Sequence, residues 1–297
     1  MTVLLTPARS NPIGRLLASF RTAPWSSVAQ AVARIGYMAR GSVYLAVGVV
    51  ALLAALGLTP HARGALGALD AWGEWPTGVV FLWLIGLGLY GFAGWRALQS
   101  IFDVDGQGRT AKGLAARAGQ AVSGLVYGGL AVSVFGLLHA AHHLEQPSKH
   151  AAMARTVEKV LAFPFGYLLV ILAGLFILAS GVGNIVRAVF GHFGRTLDCD
   201  EAIARWAGTI ARVGYFARGV ALAPVGIFMA RAGWHARAVE AHGIGGALEA
   251  LHRQPMGGVL LSLTALGLMA FGVFGFLEAT FRPIRTAANP PGDQGQP

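Results

Sequence analysis

Ala33-Arg34-Ile35-Gly36-Tyr37-Met38-Ala39-Arg40-Gly41 opens an apolar run that continues to Leu58. The pattern returns as Ala211-Arg212-Val213-Gly214-Tyr215-Phe216-Ala217-Arg218-Gly219, opening a run that reaches Ala230. Between them lies a looser copy, Ala116-Arg117-Ala118-Gly119-Gln120-Ala121-Val122-Ser123-Gly124, with glutamine for the tyrosine and serine for the second arginine. A second signature follows each copy: Trp75-Pro76-Thr77-Gly78, Phe163-Pro164-Phe165-Gly166 and Gln254-Pro255-Met256-Gly257. Two independent signatures recurring together define an internal repeat of three like units.

Each unit holds two apolar runs. In chain order the runs are 35–58, 76–95, 118–138, 160–186, 213–230 and 255–277. Each is near the ~20 residues that cross a hydrocarbon core. The solvent decides their form. Amides in lipid find no water to bond, so a span must satisfy its own backbone. A membrane barrel would instead show segments of about ten residues with alternating polarity. The spacing therefore predicts an all-α polytopic membrane protein with six transmembrane helices. A two-span unit starts and ends on the same side, so the three units share one orientation. They are then related by a pseudo-threefold axis along the membrane normal.

Composition agrees. The 297 residues are 55% hydrophobic and 12% charged, with a mean hydropathy of +0.59. That is half the ~25% charge of soluble domains, too little to coat a wetted surface. The formal charge is +10, from 23 basic and 13 acidic residues. The arginines stand between apolar runs, not along one amphipathic face, so no nucleic-acid partner is expected. Sorted by side across six spans, Lys and Arg favour the side of the termini by about two to one. The expected location is the bacterial inner membrane, with both termini cytoplasmic. The expected layout is a basic N-terminal arm over 1–32, repeats over 33–98, 115–190 and 211–281, and a disordered tail over 282–297.

The motif residues have physical readings. Arg34, Arg40, Arg117, Arg212 and Arg218 can snorkel to anionic phospholipid headgroups. Tyr37 and Tyr215 suit the interface, where ring and hydroxyl are both satisfied. Arg34, Arg117 and Arg212 can also form a basic ring about the axis. Arg40, Arg218, Glu278, Asn184 and Gln120 fall near span ends, with none expected at mid-bilayer. Proline at the head of an even span fits a first helical turn. Gly86-Leu87-Gly88-Leu89-Tyr90-Gly91 matches a dinucleotide fingerprint, but it lies within an apolar run with no strand before it, so helix packing explains it.

The Ala-Arg-x-Gly-Tyr-x-Ala-Arg-Gly motif in two-helix units resembles the bacterial membrane family catalogued as domain of unknown function 1206, over roughly Ala33 to Phe281. The resemblance implies six helices and a membrane location, and it supplies no activity.

Candidate chemistry is sparse. His139, His142 and His143 have i, i+3, i+4 spacing and form a weak half-site for a metal or haem iron. Cys199 stands beside Asp198, Asp200 and Glu201, which disfavours a thiolate nucleophile. No cofactor is expected. The leading expectation is a non-enzymatic envelope protein with a structural or lipid-interacting role. The alternatives are an anion or small-solute transporter along the repeat axis and a histidine metal or haem protein. The bilayer is the expected partner, and homo-oligomers or a membrane protein partner stay open.

Overall fold

A computed structural model describes residues 24–58, 76–103, 107–140, 149–191, 193 and 197–282. Among these there are helices and no strands. They are α1 (Pro24–Ala55), α2 (Pro76–Phe102), α3 (Ala111–Ala140), α4 (Lys149–Leu161), α5 (Gly166–Phe190), α6 (Glu201–Trp234), α7 (Ile244–His252) and α8 (Gly257–Phe281). Six of them, α1, α2, α3, α5, α6 and α8, are long and apolar enough to cross a membrane. The shortest has 25 residues, about 37 Å of helix, which exceeds a ~30 Å hydrocarbon core. This is a multi-pass membrane protein.

Helix ends differ from the sequence expectation where hydropathy is blind. α1 begins at Pro24, inside the segment assigned to the N-terminal arm, because its first turns are helical but polar. α2 runs on to Phe102 and α6 starts at Glu201, both beyond their apolar runs. The fourth run is broken: its first residues belong to α4. Pro164 and Pro255 do not open their spans; they sit in corners. Phe165 and Met256, one residue on, take φ 61° and 60°. A Cβ on the following glycine would meet the end of the preceding helix, 1.9 Å from Val160 O at Gly166 and 1.8 Å from His252 O at Gly257. That clash explains the glycine of the Pro-x-Gly signature. The tail beyond Arg282 lies outside the described residues.

The six spans form a ring in the order α1, α2, α3, then α5, α6, α8 and back to α1. Interfaces between repeats are the most extensive: α5 on α6, α8 on α1 and α2 on α3. Their closest crossings are equivalent. A methyl at Gly41 would stand 2.7 Å from Gly272 O, one at Gly219 2.7 Å from Gly181 O, and one at Gly124 3.2 Å from Ala93 O. These three glycines each end a motif, and Gly272, Gly181 and Ala93 share one position relative to the corner proline. Small residues there let backbones meet, as membrane helices require in the absence of a hydrophobic drive.

Within repeats the symmetry breaks. α1 packs on α2 and α6 on α8, but α3 makes no comparable interface with α5. In the first repeat Gly36 lies against Phe92, and Ala39 against Gly88; in the third, Gly214 against Phe271, and Ala217 against Gly267. The middle repeat has Ser180 at the phenylalanine position and Phe176 at the glycine position. The small surface is too bulky and the large knob is missing, so the two helices cannot interlock. Gly119, the counterpart of Gly36 and Gly214, has open space where its Cβ would be. Among the described residues the pseudo-threefold ring is open at this seam. α3 and α5 accordingly bury the smallest share of their most apolar windows, 22% and 17%.

Candidate functional site

Helical spacing aims one set of residues at the ring's interior. Tyr37, Arg40 and Tyr44 share a face of α1, and Tyr215 and Arg218 share one of α6. Phe92, Arg96 and Gln99 do so on α2, as do Phe271, Glu278 and Arg282 at the end of α8. Tyr127 enters from α3.

Arg40 is 2% exposed. It stands ten residues past Gln30, where the apolar segment of α1 begins, about 15 Å along the helix. Its guanidinium donates to Glu278 Oε2. Glu278 Oε1 accepts from Arg282 Nη1 at 2.8 Å. Three rings surround the Arg40 guanidinium carbon, with centroids 5.2 Å (Tyr37), 5.3 Å (Phe92) and 5.1 Å (Phe271) away. The expectation that Arg40 snorkels to headgroups is corrected: the carboxylate on α8 and the aromatic walls hold it inside.

Arg218 is held differently. Its guanidinium carbon lies 4.9 Å from the Phe271 centroid and 5.5 Å from that of Tyr44. No carboxylate reaches it among the described residues. Phe271 therefore serves two arginines. Arg96 lies 5.0 Å from the Phe92 centroid and donates to Gln99 at 3.1 Å. Arg282 is 5.4 Å from the Tyr37 ring. The rings also brace one another edge to face: Tyr37 on Phe92, Phe92 on Tyr127, Tyr44 on Phe271 and Tyr215 on Phe271.

The result is a cage that holds four guanidinium groups and one carboxylate, with Glu278 bonded to Arg40 and Arg282. Arginine stays protonated in proteins. A cation–π contact is worth about 0.5–2 kcal/mol, while dehydrating an ion costs several kcal/mol. Ring contacts thus offset part of the cost at Arg218 and leave its field largely uncancelled. Hydrogen bonding tells the same story. Tyr37 Oη, Arg40 Nε, Arg96 Nε and Arg218 Nε are buried without a partner among the described residues. All four are donors. Chemically, the cage suits a ligand that carries negative charge and several acceptor oxygens.

The first arginine of the motif has another task. Arg34 Nη1 donates to Ala279 O and, at 2.7 Å, to Thr280 O. Arg117 donates to Ser100 O at 2.8 Å and Ile101 O at 3.0 Å. Both cap the last turn of the even helix of the preceding repeat, satisfying orphan carbonyls at the negative end of its dipole. The basic ring expected from Arg34, Arg117 and Arg212 is thus corrected: Arg34 and Arg117 turn onto helix ends. Arg212 is exposed and makes no such bond among the described residues. Tyr215 is buried, stacked on Phe193 with centroids 4.8 Å apart, and Arg187 lies 5.6 Å from its ring.

His142 and His143 lie outside the described residues, as does the side chain of His139 at the end of α3. Among the described residues no group of three or more His, Cys, Asp or Glu is placed to hold a metal. Cys199 is half-buried against the core. Sequence reasoning missed Phe92, Phe271, Tyr44, Tyr127 and Arg96 as cage residues. A signal existed: Phe92 and Phe271 share one repeat position, and Tyr44 and Tyr127 share another.

Fold and site together define a class: an all-helical membrane protein of three tandem hairpins around a cationic, aromatic interior. The chain belongs to the Domain of Unknown Function (DUF1206) family, whose model matches residues 35–103, 118–191 and 213–282. It is similar to the uncharacterized protein YxxB of Bacillus subtilis (strain 168), with 28% identity over 264 residues, covering 88% of this chain and 93% of the relative. No solved structure matches it.

Proposed function

We propose that this protein is a non-enzymatic plasma-membrane protein, with cytoplasmic termini, that binds an anion in the arginine–aromatic cage. The observation that carries this reading is Arg218, a cation inside the bundle held by two aromatic rings with no carboxylate within ion-pair distance among the described residues. A charge in such a place calls for a counter-ion. The lysine and arginine bias between spans supports the orientation and puts the cage toward the cytoplasmic face. Binding is favoured over conduction because Tyr44, Phe92, Tyr127, Tyr215 and Phe271 are buried large side chains that pack ring on ring in the interior.

The test is thermal unfolding of the full chain in a zwitterionic detergent, with phosphate, sulfate or chloride titrated at constant ionic strength. Saturating oxyanion should raise the midpoint by roughly 5–10 °C, and Arg218→Gln should remove the shift. Equal responses to every salt in both proteins would refute the reading.

A further inference from the structure

The seam between α3 and α5 runs beside the cage, and its walls share one electrostatic feature. Neither α3 nor α5 contains an aspartate or glutamate. The α5 positions that match Phe92 and Arg96 of α2 are Ser180 and Asn184. Both turn their hydrogen bonds back onto their own helix: Ser180 Oγ donates to Phe176 O at 2.9 Å and Asn184 Nδ2 to Ser180 O at 2.8 Å. Each thereby turns a donor back onto its own helix, which reduces the demand for a polar partner in the seam. Among the described residues nothing lies within 4 Å of a Cβ built on Gly119 of α3. On α5 one cation stands at the end near the cage, and on α3 the basic residues at that end are Lys112 and Arg117, the latter turned onto α2. Arg187, exposed near the end of α5, lies 5.6 Å from the Tyr215 ring. Tyr215 packs edge to face on Phe271, the ring Arg218 and Arg40 share.

An opening within the bilayer, apolar along its length and cationic at one end, matches an amphiphile with a negative head. We infer that the α3–α5 seam holds an anionic phospholipid, with an acyl chain along the seam and the phosphodiester at Arg187, beside the cage mouth. This rests on the cage binding anions and identifies where its ligand comes from: the surrounding leaflet. A second copy of the chain fits less well. A twofold contact through the seam would bring two Arg187 side chains into an interface whose walls carry no carboxylate, a like-charge arrangement with nothing to offset it.

The experiment uses the full chain in phosphatidylcholine nanodiscs doped with an acyl-chain photo-crosslinking lipid, either phosphatidylglycerol or phosphatidylcholine, with adducts mapped by mass spectrometry. The phosphatidylglycerol probe should label the segments around Gly119 and Ser180 above the phosphatidylcholine probe. Arg187→Gln should reduce that preference about fivefold, the factor one arginine contributes toward anionic lipid. The double variant Phe176→Gly with Ser180→Phe restores the pattern of the other repeats, and it should close the seam and lose these adducts. In parallel, inorganic phosphate is titrated in detergent against wild type and Arg218→Gln. Equal labelling by both lipids, or protein–protein crosslinks across α3 and α5, overturns the lipid inference. If the Arg218-dependent phosphate response survives that result, the cage reading stands alone; if it is absent as well, both fail. Wild-type labelling decides the point even if the double variant does not fold.

Discussion

Arg40 on α1 and Glu278 on α8 meet inside the bundle although 238 residues separate them in the chain. Their pairing joins the first helix to the last and closes the ring on the side opposite the seam. Glu278 also bonds Arg282, so both its oxygens serve cations. Removing the carboxylate strands two guanidinium groups. Glu278→Gln should lower the unfolding free energy in mixed micelles by about 3–5 kcal/mol. The double variant Arg40→Met with Glu278→Met should recover most of it, since the only cation then left without its carboxylate is Arg282, whose side chain is 31% exposed to solvent. A double variant as unstable as the single one would show that the pair is not the source.

A closed crossing and the open seam make opposite forecasts for two glycines of the repeat motif. Gly41→Ala pushes a methyl onto Gly272 O and should cost about 1–3 kcal/mol. Gly119→Ala enters open space in a helix and should be neutral or stabilising by about 0.5–1 kcal/mol. Thermal midpoints of the two variants, side by side, check the seam directly. A large loss at Gly119 would mean that α3 and α5 close on each other.

The capping arginines separate by repeat. Arg34→Ala and Arg117→Ala each remove two bonds to helix-end carbonyls and should cost on the order of 1–2 kcal/mol. Arg212→Ala removes none among the described residues and should fall within about 0.5 kcal/mol of wild type. Hydrogen exchange at residues 98–102 should rise in Arg117→Ala alone.

At the far end of the bundle, His235 Nδ1 lies 2.9 Å from Glu240 Oε2. The hydrogen bond from His235 holds the Glu240 carboxyl below its usual value, helped by Arg231 and Arg237. A carboxylate depressed in the folded state stabilises above its ordinary pKa and loses that contribution as pH falls through the depressed value. Local protection of residues 231–242 should therefore weaken on acidification below about pH 4.5, and His235→Ala should flatten the dependence. Protection that instead fell as pH rose would reverse the assigned sign.

Much of this architecture was readable before any coordinates. The six spans follow from hydropathy, and the three units follow from two signatures that recur in order. The departures are instructive. Arg40 and Arg34 read alike in sequence, as arginines near the head of a span, yet one is sealed in aromatic rings and the other caps α8. Six residues separate them, more than one and a half helical turns, and only the position of neighbouring helices assigns each its task. The degenerate middle copy flagged Gln120 and Ser123; the open seam traces to Phe176 and Ser180, in a span whose own signature looked intact.

Hydropathy and repetition are local properties, written in consecutive residues, and bilayer physics turns them into helices of known length and shared orientation without reference to any long-range contact. The cage is a different kind of object. It joins side chains from five helices, and its charge balance depends on which carboxylate lies beside which arginine. That assignment comes from helix packing, because a buried charge is stabilised by groups a few ångströms away in space, whatever their distance along the chain.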